Sequence, residues 1–78
     1  MNAVEAQEVK GLLLQRNDHY RDLVEQHTQL DRRLHELTDK HYLSSSEQIE
    51  EVTLKKRKLA LKDRMEEIAR EFVHTRAS

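Results

Sequence analysis

The chain has no cysteine and no proline, one glycine (Gly11), and only two tyrosines and one phenylalanine for aromatics in 78 residues. Without cysteine there is no disulfide staple and no thiolate metal site, and a reducing compartment suits the chain. The near absence of proline and glycine leaves few places for the backbone to turn, so helix is the regular structure expected. So short a chain with so few aromatics can build only a small core. Charge is plentiful, at 37% of residues, but acids and bases cancel to a net of −1, and apolar residues recur with strong periodicity, which argues for order. Long apolar runs are missing as well. Nothing approaches the roughly 20 residues of a membrane span. The opening MNAVEAQEVK carries two glutamates ahead of any apolar run, unlike a secretory signal. These absences favour a cytoplasmic protein with no membrane association.

What is present is a 3-4 repeat. It runs through Ala6, Val9, Leu13, Arg16, Tyr20, Leu23, His27, Leu30, Leu34, Leu37 and His41, about five heptads of a coiled-coil seam. Asn2 with Glu5 can cap its start, and Gly11 costs about 1 kcal/mol relative to alanine. Leu43-Ser44-Ser45-Ser46-Glu47 is the interior turn signal, and Ser44 with Glu47 has the form of a capping box. Beyond it, Leu54, Lys58, Leu61, Met65, Ile68 and Phe72 repeat at 4-3 spacing.

The two runs match in reverse. Leu37 pairs with Leu54, Leu34 with Lys58, Leu30 with Leu61, His27 with Met65, Leu23 with Ile68 and Tyr20 with Phe72, the residue numbers of each pair adding to nearly the same value. The expected fold is all-α, an antiparallel two-helix coiled-coil hairpin: a helix over about 3–42, a turn at 43–46 and a helix over about 46–74, in one domain spanning 1–78. Lys58 is a seam lysine, costly unless its ammonium reaches water or a carboxylate, and is expected to set register. His27 is expected to hydrogen bond Asp31, or Asp63 across the hairpin.

The register leaves apolar residues over. Ile49, Val52 and Leu59 lie nearly opposite the second seam. A first helix of about 60 Å would overhang a second of about 45 Å. Val9, Leu12 and Leu14 belong to that overhang. Together these six form the candidate oligomer or partner surface, and they point to a homo-oligomer, with a dimer in a four-helix arrangement favoured and a dimer through crossed N-terminal arms also serving. A membrane-surface role for Leu12–Leu14 is disfavoured by Glu5 and Glu8.

Candidate chemistry is sparse. Lys55, Lys56, Arg57 and Lys58 with Lys62 and Arg64 are the densest cations, but consecutive helical residues point in four directions, and acids lie nearby. A small nucleic-acid-associated protein using Lys55–Lys62 is therefore the alternative reading, not the leading one. His27, His35 and His41 lack the i,i+4 pairing that places two imidazoles on one ion, and Asp31 with His35 supplies two ligands at most. Ser44–Ser46 have no glycine-rich elbow or convergent base. No catalytic, metal or cofactor residues are expected.

Two blocks carry a resemblance. Leu54-Lys55-Lys56-Arg57-Lys58-Leu59-Ala60-Leu61-Lys62-Asp63-Arg64-Met65 is similar to the L-K-K-x-K-L-x-L-K-D-x-[IM] signature of the YdcH-like family, small bacterial helical-hairpin proteins whose domain is of unknown function. Tyr20-x-x-Leu23-x-x-x-His27-x-x-Leu30-Asp31-x-x-Leu34 resembles that family's first block, with Tyr20 where phenylalanine is more usual and Leu34 for isoleucine. The N-terminal portion departs from the family's usual entry. The resemblance implies a bacterial cytoplasmic hairpin and supplies no enzyme class, ligand or partner. Lys55, Lys62 and Asp63 belong to the signature yet lie outside the seam, which makes them a candidate polar surface, either a tie within the oligomer or a contact for an unidentified protein partner.

Overall fold

The computed structural model describes residues 2–77, and all regular structure in it is helical. There are three helices: α1 over Ala3–Arg16, α2 over Asp18–Thr38 and α3 over Ser45–Ala77. The single first helix expected over 3–42 is thus two helices, divided at Asn17. Its end also comes earlier, at Thr38, and the third helix begins one residue sooner than expected and continues past 74.

Asn17 supplies the local reason for the break. Its backbone is extended, with φ −123° and ψ 104°, while its own amide still donates to the Leu13 carbonyl at 2.9 Å. Its side-chain Oδ1 accepts the Tyr20 amide at 2.9 Å and its carbonyl accepts the Arg21 amide at 3.0 Å. Asparagine therefore ends α1 and caps α2 at once, satisfying amides that otherwise have no helical partner. The 3-4 pattern passes through residue 17 unaltered, so apolar spacing alone does not register this break.

Packing supplies the second reason. Val9 and Leu13 of α1 are 4% and 2% exposed, in one cluster with Tyr20 and Leu23 of α2 and Ile68 of α3. Leu14 packs against the same cluster, alongside Met65, Ala69 and Phe72. Fully burying one such aliphatic side chain is worth roughly 1.5–3 kcal/mol, and a straight first helix would leave these residues in water. The overall extents of 51 × 20 × 18 Å fit the length of α3, about 50 Å for its 33 residues, with no overhanging arm. Val9 and Leu14, expected on an open oligomer surface, are instead part of the intramolecular core, and Leu12 is half-buried.

A second cluster, Leu34, Leu37 and Leu54, lies toward the other end, with Leu30 and Leu43 packed on it. Contacts between α2 and α3 fall in α3 number as they rise along α2. Leu23 shares a cluster with Ile68, Asp31 meets Lys58, and Arg33 meets Glu50. The loop of residues 39–44 joins these helices, spanned by the ion pair of Lys40 with Glu47. The capping box at its end is complete: the Glu47 amide donates to Ser44 Oγ at 3.1 Å, and the Ser44 amide donates to Glu47 Oε1 at 3.0 Å.

A candidate interaction surface

Of the twelve seam residues, Tyr20, Leu23, Leu34, Leu37, Leu54 and Ile68 are buried, and His27, Leu30, Lys58, Leu61, Met65 and Phe72 are half-buried. Burial raises the Tyr20 phenol above its ordinary pKa. Lys58 reaches across to the Asp31 carboxylate. The hydrogen bond from that ammonium is the main reason the Asp31 carboxyl is held below its usual range. The pairing expected of His27 is therefore corrected: Asp31 is taken by Lys58, and no hydrogen bond or ion pair joins His27 to Asp31 or Asp63 among the described residues. Lys58 is half-buried and lines a groove with Leu34 and Leu59, a setting in which a lysine can bury its methylenes and keep its charge on a carboxylate.

A second polar link joins α2 to α3, and apolar spacing does not reveal it. Arg33 on α2 donates through Nε and Nη2 to the two carboxylate oxygens of Glu50 on α3, at 2.8 and 2.9 Å, and through Nη1 to Glu36 at 2.9 Å. The Arg33 bond holds Glu50 below the usual carboxylate range, and the two glutamates raise the guanidinium further. Arg33 precedes seam residue Leu34 by one and Glu50 precedes Leu54 by four, so both flank the seam, where charged residues pair between helices. That flanking position was the available signal.

Exposed apolar side chains include Val4 of α1 and Tyr42 in the loop, and three lie on α3. Ile49, Val52 and Leu59 are 68%, 52% and 59% exposed. With Lys56 they repeat at 3-4-3 spacing, which places them on one stripe, and Asp63 continues it four residues on. Ile49, Val52 and Lys56 line one shallow depression together with Ser45, Gln48 and Thr53. Lys55 and Lys62 flank the stripe, both exposed; they lie with Leu59 and Lys58 along a groove whose α2 side is Asp31, Leu34 and His35. Lys55 is paired with Glu51 at 3.5 Å, while Asp63 is exposed with no partner among the described residues. Arg57 and Arg64 face another groove, floored by Leu23, Leu30 and Leu61. The basic residues are therefore shared between two grooves and the stripe, not gathered in a single track.

Among the described residues no three His, Asp or Glu side chains converge into a group able to hold a metal ion, and no helix is long and apolar enough to cross a membrane. His35 donates from Nδ1 to the Asp31 carbonyl at 2.9 Å, which ties the ring to its own helix.

No curated protein and no solved structure matches the chain. A family described as a protein of unknown function (DUF465) matches residues 21–69, which take in most of α2, the loop and most of α3 but none of α1. That match covers more than half of the 78 residues, and the chain belongs to the DUF465 family.

Proposed function

We propose that the protein is a non-catalytic interaction or adaptor module of YdcH-like type, in which α2 and α3 form an antiparallel coiled-coil hairpin that self-associates through the outer stripe of α3. The carrying observation is that Ile49, Val52 and Leu59 stay open to solvent after α1 has folded onto the other end of the hairpin. Covering three such side chains on each of two chains supplies several kcal/mol at roughly 25 cal/mol per Å², the scale on which small helical dimers form. A side-by-side dimer with four long helices satisfies this stripe, with Lys55, Lys62 and Asp63 at its border as polar ties within the dimer or as contacts for a further protein.

The division of cations between faces supports a protein partner over nucleic acid, because a phosphate backbone is met by cations arrayed along one face. Sedimentation at tens of micromolar tests the reading. A dimer is expected for the native chain and a monomer of unchanged helicity for Val52→Glu. A native chain that sediments as a monomer at that concentration overturns it, and a salt-sensitive gel shift with short duplex DNA or RNA would favour the nucleic-acid alternative.

A further inference from the structure

We propose that α1 is an exchangeable arm, which straightens at Asn17, leaves its own groove and fills the same groove in a second copy of the chain. This concerns a different surface from the α3 stripe and holds whether or not the stripe pairs.

The hinge is one residue long. Asn17 alone separates α1 from α2, and Ala6, Val9, Leu13 and Arg16 continue without a phase change into Tyr20, Leu23 and His27. Turning Asn17 into the helical region would therefore make one helix with a single apolar stripe. The folded-back arrangement is held by contacts that substitute for helical ones. In a straight helix the carbonyls of Leu14 and Gln15 would accept the amides of Asp18 and His19. Here the Arg21 guanidinium serves both carbonyls instead, Nε at 2.9 Å from Leu14 and Nη2 at 3.4 Å from Gln15, and it is braced by Asp18 at 2.9 Å. Arg21 and the Asn17 cap form a latch on the bend, and both are given up when the helix straightens.

The arm does not leave into water, because Val9 and Leu13 are almost fully buried and would be exposed together. A second chain removes that penalty. Two hairpins meeting end to end, each with a straight α1–α2 helix, place each arm on the partner's Tyr20, Leu23 and Ile68, so every apolar contact of the closed form is remade across a two-fold axis. Exchange of an identical element between protomers is a low-cost route to a closed dimer.

Two substitutions push the hinge in opposite directions. Asn17→Ala removes the cap and favours a continuous helix. Asp18→Pro locks the bend: proline suits the first helical position, Asn17 already has the extended backbone that a residue before proline prefers, and a straight helix through residue 18 would lose a hydrogen bond and clash at Leu14. The native chain and both variants are compared by light scattering across a concentration series, by small-angle X-ray scattering and by circular dichroism. Asn17→Ala is expected to dimerise on the order of thirtyfold more tightly than the native chain, from one lost cap in each of two chains. Its dimer is expected to be roughly 100 Å long. Asp18→Pro, with native helix content, should form none of this elongated species, and Arg21→Ala should shift the same way as Asn17→Ala. Asn17→Ala with the native mass distribution overturns the proposal, as does an elongated dimer equally abundant in Asp18→Pro. A compact dimer about as long as the 51 Å monomer, unaffected by either hinge variant, overturns arm exchange while leaving pairing through the α3 stripe standing.

Discussion

Arg33 and Glu50, seventeen residues apart, form a two-pronged ion pair in which both carboxylate oxygens accept from one guanidinium, at 2.8 and 2.9 Å. The pair sits beside the Leu34, Leu37 and Leu54 cluster and ties α2 to α3 on the loop side of the molecule. Such a fork demands a planar donor. Arg33→Lys is therefore expected to lower the melting temperature measurably though charge is kept, and Glu50→Gln to lower it similarly. In a double-mutant cycle the two effects should fall short of adding. Strict additivity would mean that the fork contributes nothing.

Leu37 is the one described side chain fully enclosed, at 0% exposure. Leu37→Ala leaves a void between α2 and α3 and is expected to cost about 2–5 kcal/mol in urea unfolding. In so small a protein that loss is expected to prevent folding at physiological temperature. A loss below about 1 kcal/mol would show that this end of the bundle collapses to fill the space.

Gly11 lies within α1, and a Cβ added there meets nothing within 4 Å. Gly11→Ala is therefore expected to stabilise the protein by up to about 1 kcal/mol through helix propensity alone. Thermal melts of the two chains check this, and a lower melting temperature in the variant would contradict the open surroundings of the site.

Acid should weaken the fold. The Glu47 carboxyl is held down at about 2, against an ordinary 4.5, chiefly by the Lys40 ammonium and next by the Ser44 amide. Asp31 and Glu50 are lowered as well, by Lys58 and Arg33. A carboxyl lowered by folding adds stability that is complete above its unfolded pKa and is lost as pH falls through its folded value. Melting temperature is thus expected to be level above pH 4.5 and to decline from there toward pH 2, with Glu47→Gln flattening part of the decline. These groups lie at the surface, so salt should reduce the effect. An unchanged melting temperature across that interval would count against these pairs.

Much of the seam was legible because it rests on local chemistry. Ser44 and Glu47 form their capping box wherever a helix starts beside them, and Leu37 and Leu54 are apolar residues at coiled-coil spacing that no charged neighbour competes for. Val9 differs from the open-surface expectation for a related reason: its spacing is right for a seam, and spacing does not reveal which seam. Spacing offers His27 two partners, Asp31 on the same helix and Asp63 across the hairpin, and does not show Lys58 competing for the first. Only the three-dimensional arrangement brings Lys58 of α3 to that carboxylate on α2.

Helical character, the turn near Ser44 and the 3-4 stripe were determined by the amino-acid sequence alone, since they follow from propensity, capping and periodicity over a few residues. The division at Asn17 and the docking of α1 on Tyr20, Leu23 and Ile68 were decided by tertiary structure. An in-phase stripe fits both a straight and a folded-back helix. Burial of Val9 and Leu13 against residues distant in the chain selects between them.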